Sequence, residues 1–216
     1  LNIVRRKKWA LAMEQRFGTP FLHVADMQEW HGIEGISDLY RQIGKMLGCE
    51  DAVEHVLQEE YERVAARYQE LRAEFAKYKF CLIAHGIAYL PDALRVYQQD
   101  YGLPIEKICI IMNPSYQAET GLDDAMMQRF KDRIELAKAE YGCEAQVLLE
   151  PSEDALREAA QSCDFVICNG HPRYASLNVP VLYNLFDRSV WNYQGFVDIM
   201  EEVWQMLQQP QRTEQE

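Results

Sequence analysis

The stretch Cys163-Asp-Phe-Val-Ile-Cys-Asn-Gly-His171 gathers two thiols, an acid, an amide and an imidazole within nine residues. Its middle, Phe165 to Cys168, is a short apolar run bounded by turn formers, the pattern of a strand buried on both faces. Asn169, Gly170 and His171 then mark the point where the strand ends. Val179 to Tyr183 repeats the pattern and leads into Asn184, Asp187 and Arg188. His85 stands in the same way after the apolar run 79–84, and Asn113 after 107–112. Histidine titrates near neutrality without help, so His85 and His171 are the candidate acid–base residues. Asn113, Asn169, Gly170, Asn184, Asp187 and Arg188 are the candidate cofactor-binding residues. Asn, Gly and Asp also simply cap turns, and that plain reading stands beside the functional one. Cys168 near a histidine has the makings of a nucleophile, but no third orienting group accompanies it. His31, beside Gly32 ahead of a helix start, reads as a capping loop or as a place for an anion.

The elements that position these residues follow from the hydrophobic pattern. Residues 3–17 read as a helix stopped by Gly18 and Pro20, and 21–24 as a short strand. Ser37 or Asp38 can cap a helix that runs to about Leu47 and ends at Gly48. From 51 to 77 there is no Gly or Pro, and Leu57, Tyr61, Val64, Tyr68, Leu71 and Phe75 form one apolar stripe on a long helix. Strands and helices then alternate: strand 79–84, helix 92–99, strand 107–112, helix 123–141, strand 145–149, helix 153–161 capped by Ser152, and the two strands above. A last amphipathic helix spans 194–208. This alternation predicts an α/β fold: a Rossmann-like parallel sheet with helices on both faces, preceded by part of a second α/β domain and a long connecting helix. The expected divisions are 1–50, 51–78, 79–208 and a polar tail at 209–216. Parallel strands collect their polar tails at one edge, where open α/β sheets bind ligands.

Several functions are disfavoured. Net charge is −12, against the basic face that nucleic acid requires. No apolar run reaches the roughly 18–20 residues of a membrane span. The six cysteines, at 49, 81, 109, 143, 163 and 168, form no Cys-x-x-Cys pair, so no metal site is assigned. Their usage suits a reducing, cytoplasmic compartment. His85-Gly86-Ile-Ala-Tyr-Leu lacks the later glycines of a dinucleotide fingerprint, and no phosphate loop or Gly-x-Ser-x-Gly elbow occurs. The chain starts at Leu1, not Met, which suggests a processed chain or a piece of a longer one.

Four segments carry a resemblance to a known family: Met13-Glu-Gln-Arg-Phe-Gly-Thr-Pro20; Gly32-Ile-Glu-Gly-Ile-Ser-Asp38; the long charged helix leading into Lys79; and the closing set Asp164 to Gly170, Val179-Pro180, Phe186-Asp-Arg188 and Tyr193-Gln-Gly-Phe196. In order and spacing they resemble the C-terminal part of a nitrogenase component 1-type subunit. That family includes the molybdenum–iron protein subunits, their cofactor-assembly scaffolds and related tetrapyrrole reductases. The resemblance implies an electron-transfer oxidoreductase, an iron–sulfur or other metal cluster in the full-length protein, a homologous or identical partner subunit, and an ATP-dependent iron–sulfur reductase as electron donor. It also exposes two departures. Asn2 and Asn184 fall near the positions where the molybdenum–iron subunit has its cofactor-holding Cys and His, and amides are poor ligands for a metal–sulfur cluster. The cofactor itself is therefore left unknown. The expected function is a domain of a multi-electron reductase or of the scaffold that assembles its cofactor. The alternatives are a non-enzymatic module that binds an anionic small molecule or a partner subunit at the strand-end edge, and a purely structural domain.

Overall fold

The computed structural model describes residues 2–4, 7–23, 31–85, 90–112, 124–168, 172–183 and 190–208. The chain divides into two compact units, one of residues 1–69 with 189–199, the other of 70–188 with 200–216.

The first unit opens on β1 (Asn2–Val4), α1 (Lys7–Phe17) and β2 (Phe21–His23). The two strands pair in parallel, Asn2 opposite Phe21 and Val4 opposite His23. The hydrophobic pattern puts residues 3 and 4 in the first helix; in the structure they are strand. Two β-branched residues are too few to announce a strand locally, and pairing with β2 decides it. α2 (Gly32–Leu47) starts well before the expected Ser37 or Asp38 cap. Ser37 lies inside the helix, and its Oγ donates to the Ile33 carbonyl at 2.6 Å. Gly48 ends α2 in the left-handed conformation, φ 68°, as its glycine suggested. α3 (Glu50–Phe75) follows. Gly44 lets the two helices approach closely: a Cβ there would come within 2.8 Å of Val53 Cγ2. Tyr193, at the start of α7 (Tyr193–Gln208), holds Ser37 Oγ at 2.6 Å and meets the Tyr61 ring edge-on.

In the second unit five parallel strands form one sheet: β3 (Phe80–His85), β4 (Ile105–Ile111), β5 (Gln146–Leu149), β6 (Phe165–Cys168) and β7 (Val181–Tyr183). Their order is β5-β4-β3-β6-β7, with Ile83 opposite both Cys109 and Cys168. β3 before His85, β6 and the second half of β4, from Ile108, are continuously apolar, as suits strands flanked by helices. α4 (Leu90–Leu94) packs with α5 (Asp124–Glu140). α6 (Glu153–Gln161) closes another part of the core with Leu156, Ala159 and Ala160 against Cys81, Cys109 and Val166. Ser152 caps α6 as the sequence suggests, its hydroxyl accepting from Ala155 N at 3.2 Å. Replacing Ser152 with Ala should lower stability by about 1 kcal/mol, read as a lower urea midpoint with an unchanged slope.

The expected helix 92–99 is not a plain α-helix. After Leu94 the backbone widens into a π-helical turn over Arg95–Asp100, with Tyr101 N donating to Val96 O at 2.9 Å. The wider turn brings Arg95 Nη1 to 2.9 Å from Asp100 Oδ2, and both side chains are almost fully buried. Gly102, at φ 74°, then reverses the chain against Arg72.

Candidate functional site

The strand order changes direction between β3 and β6. From β3 the chain winds outward through β4 to β5, then returns across the sheet to β6 and winds outward to β7. The crevice outside the carboxyl ends at such a reversal is the usual ligand position in open α/β sheets.

β3 ends on His85 and β6 on Cys168. Residues two apart share a strand face, so Cys81, Ile83 and His85 lie on one face, with Cys168 beside Ile83. After β6 the chain forms a short 3-10 helix, Pro172–Leu177. That helix buries Tyr174 and Leu177 in the same apolar cluster as Cys81, Ile83, Cys109 and Cys168. A buried phenol needs a hydrogen-bond partner, and Tyr174 finds the exposed His85: the hydroxyl and Nε2 are 2.7 Å apart. The two rings stand tilted at 56° with centroids 5.9 Å apart. The result is an imidazole at the strand-end edge, oriented by a side chain locked in the core. When the phenol donates to Nε2, the neutral ring carries its proton at Nδ1.

The thiol at the end of β6 is inert. Burial pushes the Cys168 thiol up to about 12, so at neutral pH it is a packed thiol rather than a nucleophile. Cys81 and Cys109 bring their sulfurs to 3.9 Å in the core. Contact with Cys109 and burial hold the Cys81 thiol protonated. Burial likewise raises Cys163 and Cys143. Glu150, at the end of β5, is occupied structurally: its carboxylate accepts from Met112 N, while its own N–H donates to Ile110 O at 2.9 Å.

Of the residues singled out in the sequence, His85 is placed by the described structure. Asn113, Asn169, Gly170, His171, Asn184, Asp187 and Arg188 lie outside the described residues, although β4, β6 and β7 lead to them in parallel. The sequence alone does not mark Tyr174. Its only signal is a 3-10 spacing, with Leu177 three residues on, in a segment that otherwise reads as a turn. His31 sits at the cap of α2, makes no side-chain cap bond and is 2 % exposed.

The model of the nitrogenase component 1 type oxidoreductases matches residues 3–208. The chain belongs to this family. Solved structures of nitrogenase share its fold: nitrogenase Cp1 at pH 5 with a TM-score of 0.58, and nitrogenase Cp1 at pH 6.5 with 0.55. Identity is 12 % in both. The matches cover 94 % and 95 % of this chain, and 45 % and 48 % of theirs. The chain thus spans about half the length of these structures. No curated protein sequence matches it.

A nitrogenase component 1-type chain raises the question of a metal cluster. Among the described residues no group of three or more His, Cys, Asp or Glu is arranged to hold a metal ion. Cluster ligation needs thiolates, whereas Cys81, Cys109, Cys163 and Cys168 are buried among apolar side chains. The described residues do not fit a cluster. What they place at the strand-end edge is an oriented imidazole. No helix among the described residues is long and apolar enough to cross a membrane.

Proposed function

We propose that this chain supplies the Rossmann-like domain of a nitrogenase component 1-type reductase, and that the crevice at the carboxyl ends of β3 and β6 forms one wall of its redox site. The observation that carries the reading is the oriented pair His85–Tyr174 at the reversal of strand order, in a chain that matches the family along nearly its whole length. Multi-electron reduction consumes protons with electrons. His85 would hold a proton at the site's edge and pass it inward, with the Tyr174 hydroxyl fixing the ring. The residues that follow the neighbouring strands, Asn113, Asn169, Gly170, His171, Asn184, Asp187 and Arg188, would complete the wall. The metal ligands would come from elsewhere than the described residues. A homologous or identical subunit would close the site, and an ATP-dependent iron–sulfur reductase would supply electrons.

The test separates proton delivery from assembly. In the native protein, His85→Gln should leave iron content and electron uptake unchanged while lowering turnover about a hundredfold, the scale of a lost general acid. Tyr174→Phe should shift the pH profile of turnover and cost about 1 kcal/mol of stability, the net worth of one hydrogen bond. Full turnover with His85→Gln would remove His85 from the reaction. A second reading is supported by the amides and Arg188 that the sequence assigns to the same edge: a non-enzymatic module that takes an anionic small molecule. It predicts a metal-free native protein that binds such a ligand.

A further inference from the structure

Away from the strand-end edge, the first unit holds an apolar groove of about 400 Å³ between α2, the first half of α3 and residues 191–193. A cavity of this size lies within the range of small-molecule sites, roughly 300–1,000 Å³. Its lining is chemically one-sided. Three aromatic residues, Tyr40, Trp191 and Tyr193, stand among aliphatic side chains, and Glu60 is the single ionisable carboxylate; no Lys, Arg or His lines it. The walls are preset. The Tyr40 hydroxyl donates to the Trp191 carbonyl at 2.8 Å, and Tyr193 is fixed through Ser37 at 2.6 Å. Asn192 Oδ1 accepts from Gly195 N at 2.6 Å, which locks the turn that carries Trp191. At the mouth, Val56 is 54 % exposed and Trp191 41 %. Contiguous exposed apolar surface of this kind marks a place where a ligand or another surface binds.

The charge of the groove selects the occupant. Glu60 Oε1 pairs with Arg63, whose side chain is 67 % exposed, and such a surface pair contributes little and yields easily to a competitor. Aromatic faces attract cations, and here they share the groove with a carboxylate and no base. The net charge of −12 adds a field that concentrates cations near the surface. We propose that this groove is a binding site for a small hydrophobic amine, its apolar body between Tyr40, Trp191 and Val56 and its ammonium group on Glu60.

Three probes of nearly equal shape test it by calorimetry on the full 216-residue chain: tryptamine, neutral 3-ethylindole and indole-3-propionate. Tryptamine should bind saturably at one site, with 3-ethylindole about tenfold weaker and indole-3-propionate weaker still. Glu60→Gln should bring tryptamine down to the affinity of 3-ethylindole. Val56→Arg should abolish binding of all three; Val56 is exposed enough for the fold to tolerate the change, which circular dichroism confirms or denies. If Val56→Arg does not fold, the Glu60→Gln comparison still decides. Equal affinity for the three probes, no binding of tryptamine, or tryptamine binding unchanged by Glu60→Gln would overturn the proposal. So would sedimentation showing that Val56→Arg dissociates a dimer, because the occupant would then be a second copy.

Discussion

Replacing Asp100 with Asn should lower the unfolding free energy of the chain by about 3–5 kcal/mol, the usual loss when one partner of a buried ion pair is removed. Asp100 is 4 % exposed, and its Oδ2 lies 2.9 Å from Arg95 Nη1. The π-helical turn over Arg95–Asp100 is what brings the pair together, since its wider turn stacks residues five apart. Without the carboxylate, the buried guanidinium loses the opposite charge that lies 2.9 Å from it. Arg95→Met in the Asp100→Asn background should recover much of the loss, because with both groups of the pair replaced no charge that had been matched to a buried partner remains. Urea denaturation of the two variants beside the wild type measures this. A loss below about 1 kcal/mol for Asp100→Asn would mean that the pair behaves as a surface bridge.

The second large effect is on alkaline stability. In the unfolded chain the Cys168 thiol titrates near its ordinary value of 9.0, whereas in the fold burial pushes it up to about 12. Below pH 9 both states hold the proton, and the full stabilisation is present. As pH rises from 9 toward 12 the unfolded chain loses the proton first, so stability falls with pH. The loss reaches on the order of 4 kcal/mol at the top of that window. Burial raises Cys163 and Cys143 as well, in the same direction. Unfolding free energy measured from pH 8 to 11 should therefore decline steeply. Cys168→Ala, although less stable at pH 8 through its small cavity, should decline less steeply. Equal slopes would show that Cys168 gains a solvated thiolate without unfolding.

The parallel sheet was legible because each strand announces itself. Phe165–Cys168 and the neighbouring apolar runs are continuous, and each ends on turn-forming residues. Helices with strong caps were equally clear, such as Glu153–Gln161 behind Ser152. The failures have a shared cause. β1 exists only through its pairing with β2, and the first turn of α2 contains Gly32 and Gly35, poor helix formers that tertiary packing overrides. The π-helical turn is equally silent, because residues 92–99 carry an ordinary helical pattern and the Arg95–Asp100 pair that the wider turn joins lies five residues apart, outside that period. At the candidate site, His85 was legible as a polar residue ending an apolar strand. Tyr174 was not, because its role depends on a 3-10 turn folding back onto the sheet, and no periodicity in the chain encodes that return.

Fold and family rest on the match over residues 3–208 and the parallel sheet. The redox reading rests on His85, Tyr174 and the edge they share. Iron content and visible absorption of the native protein, purified without oxygen, test that reading most directly. The expected result is brown, iron-bearing protein whose absorption changes on chemical reduction, and which keeps that colour when His85 is replaced by Gln. A colourless, iron-free native protein under the same conditions would contradict it.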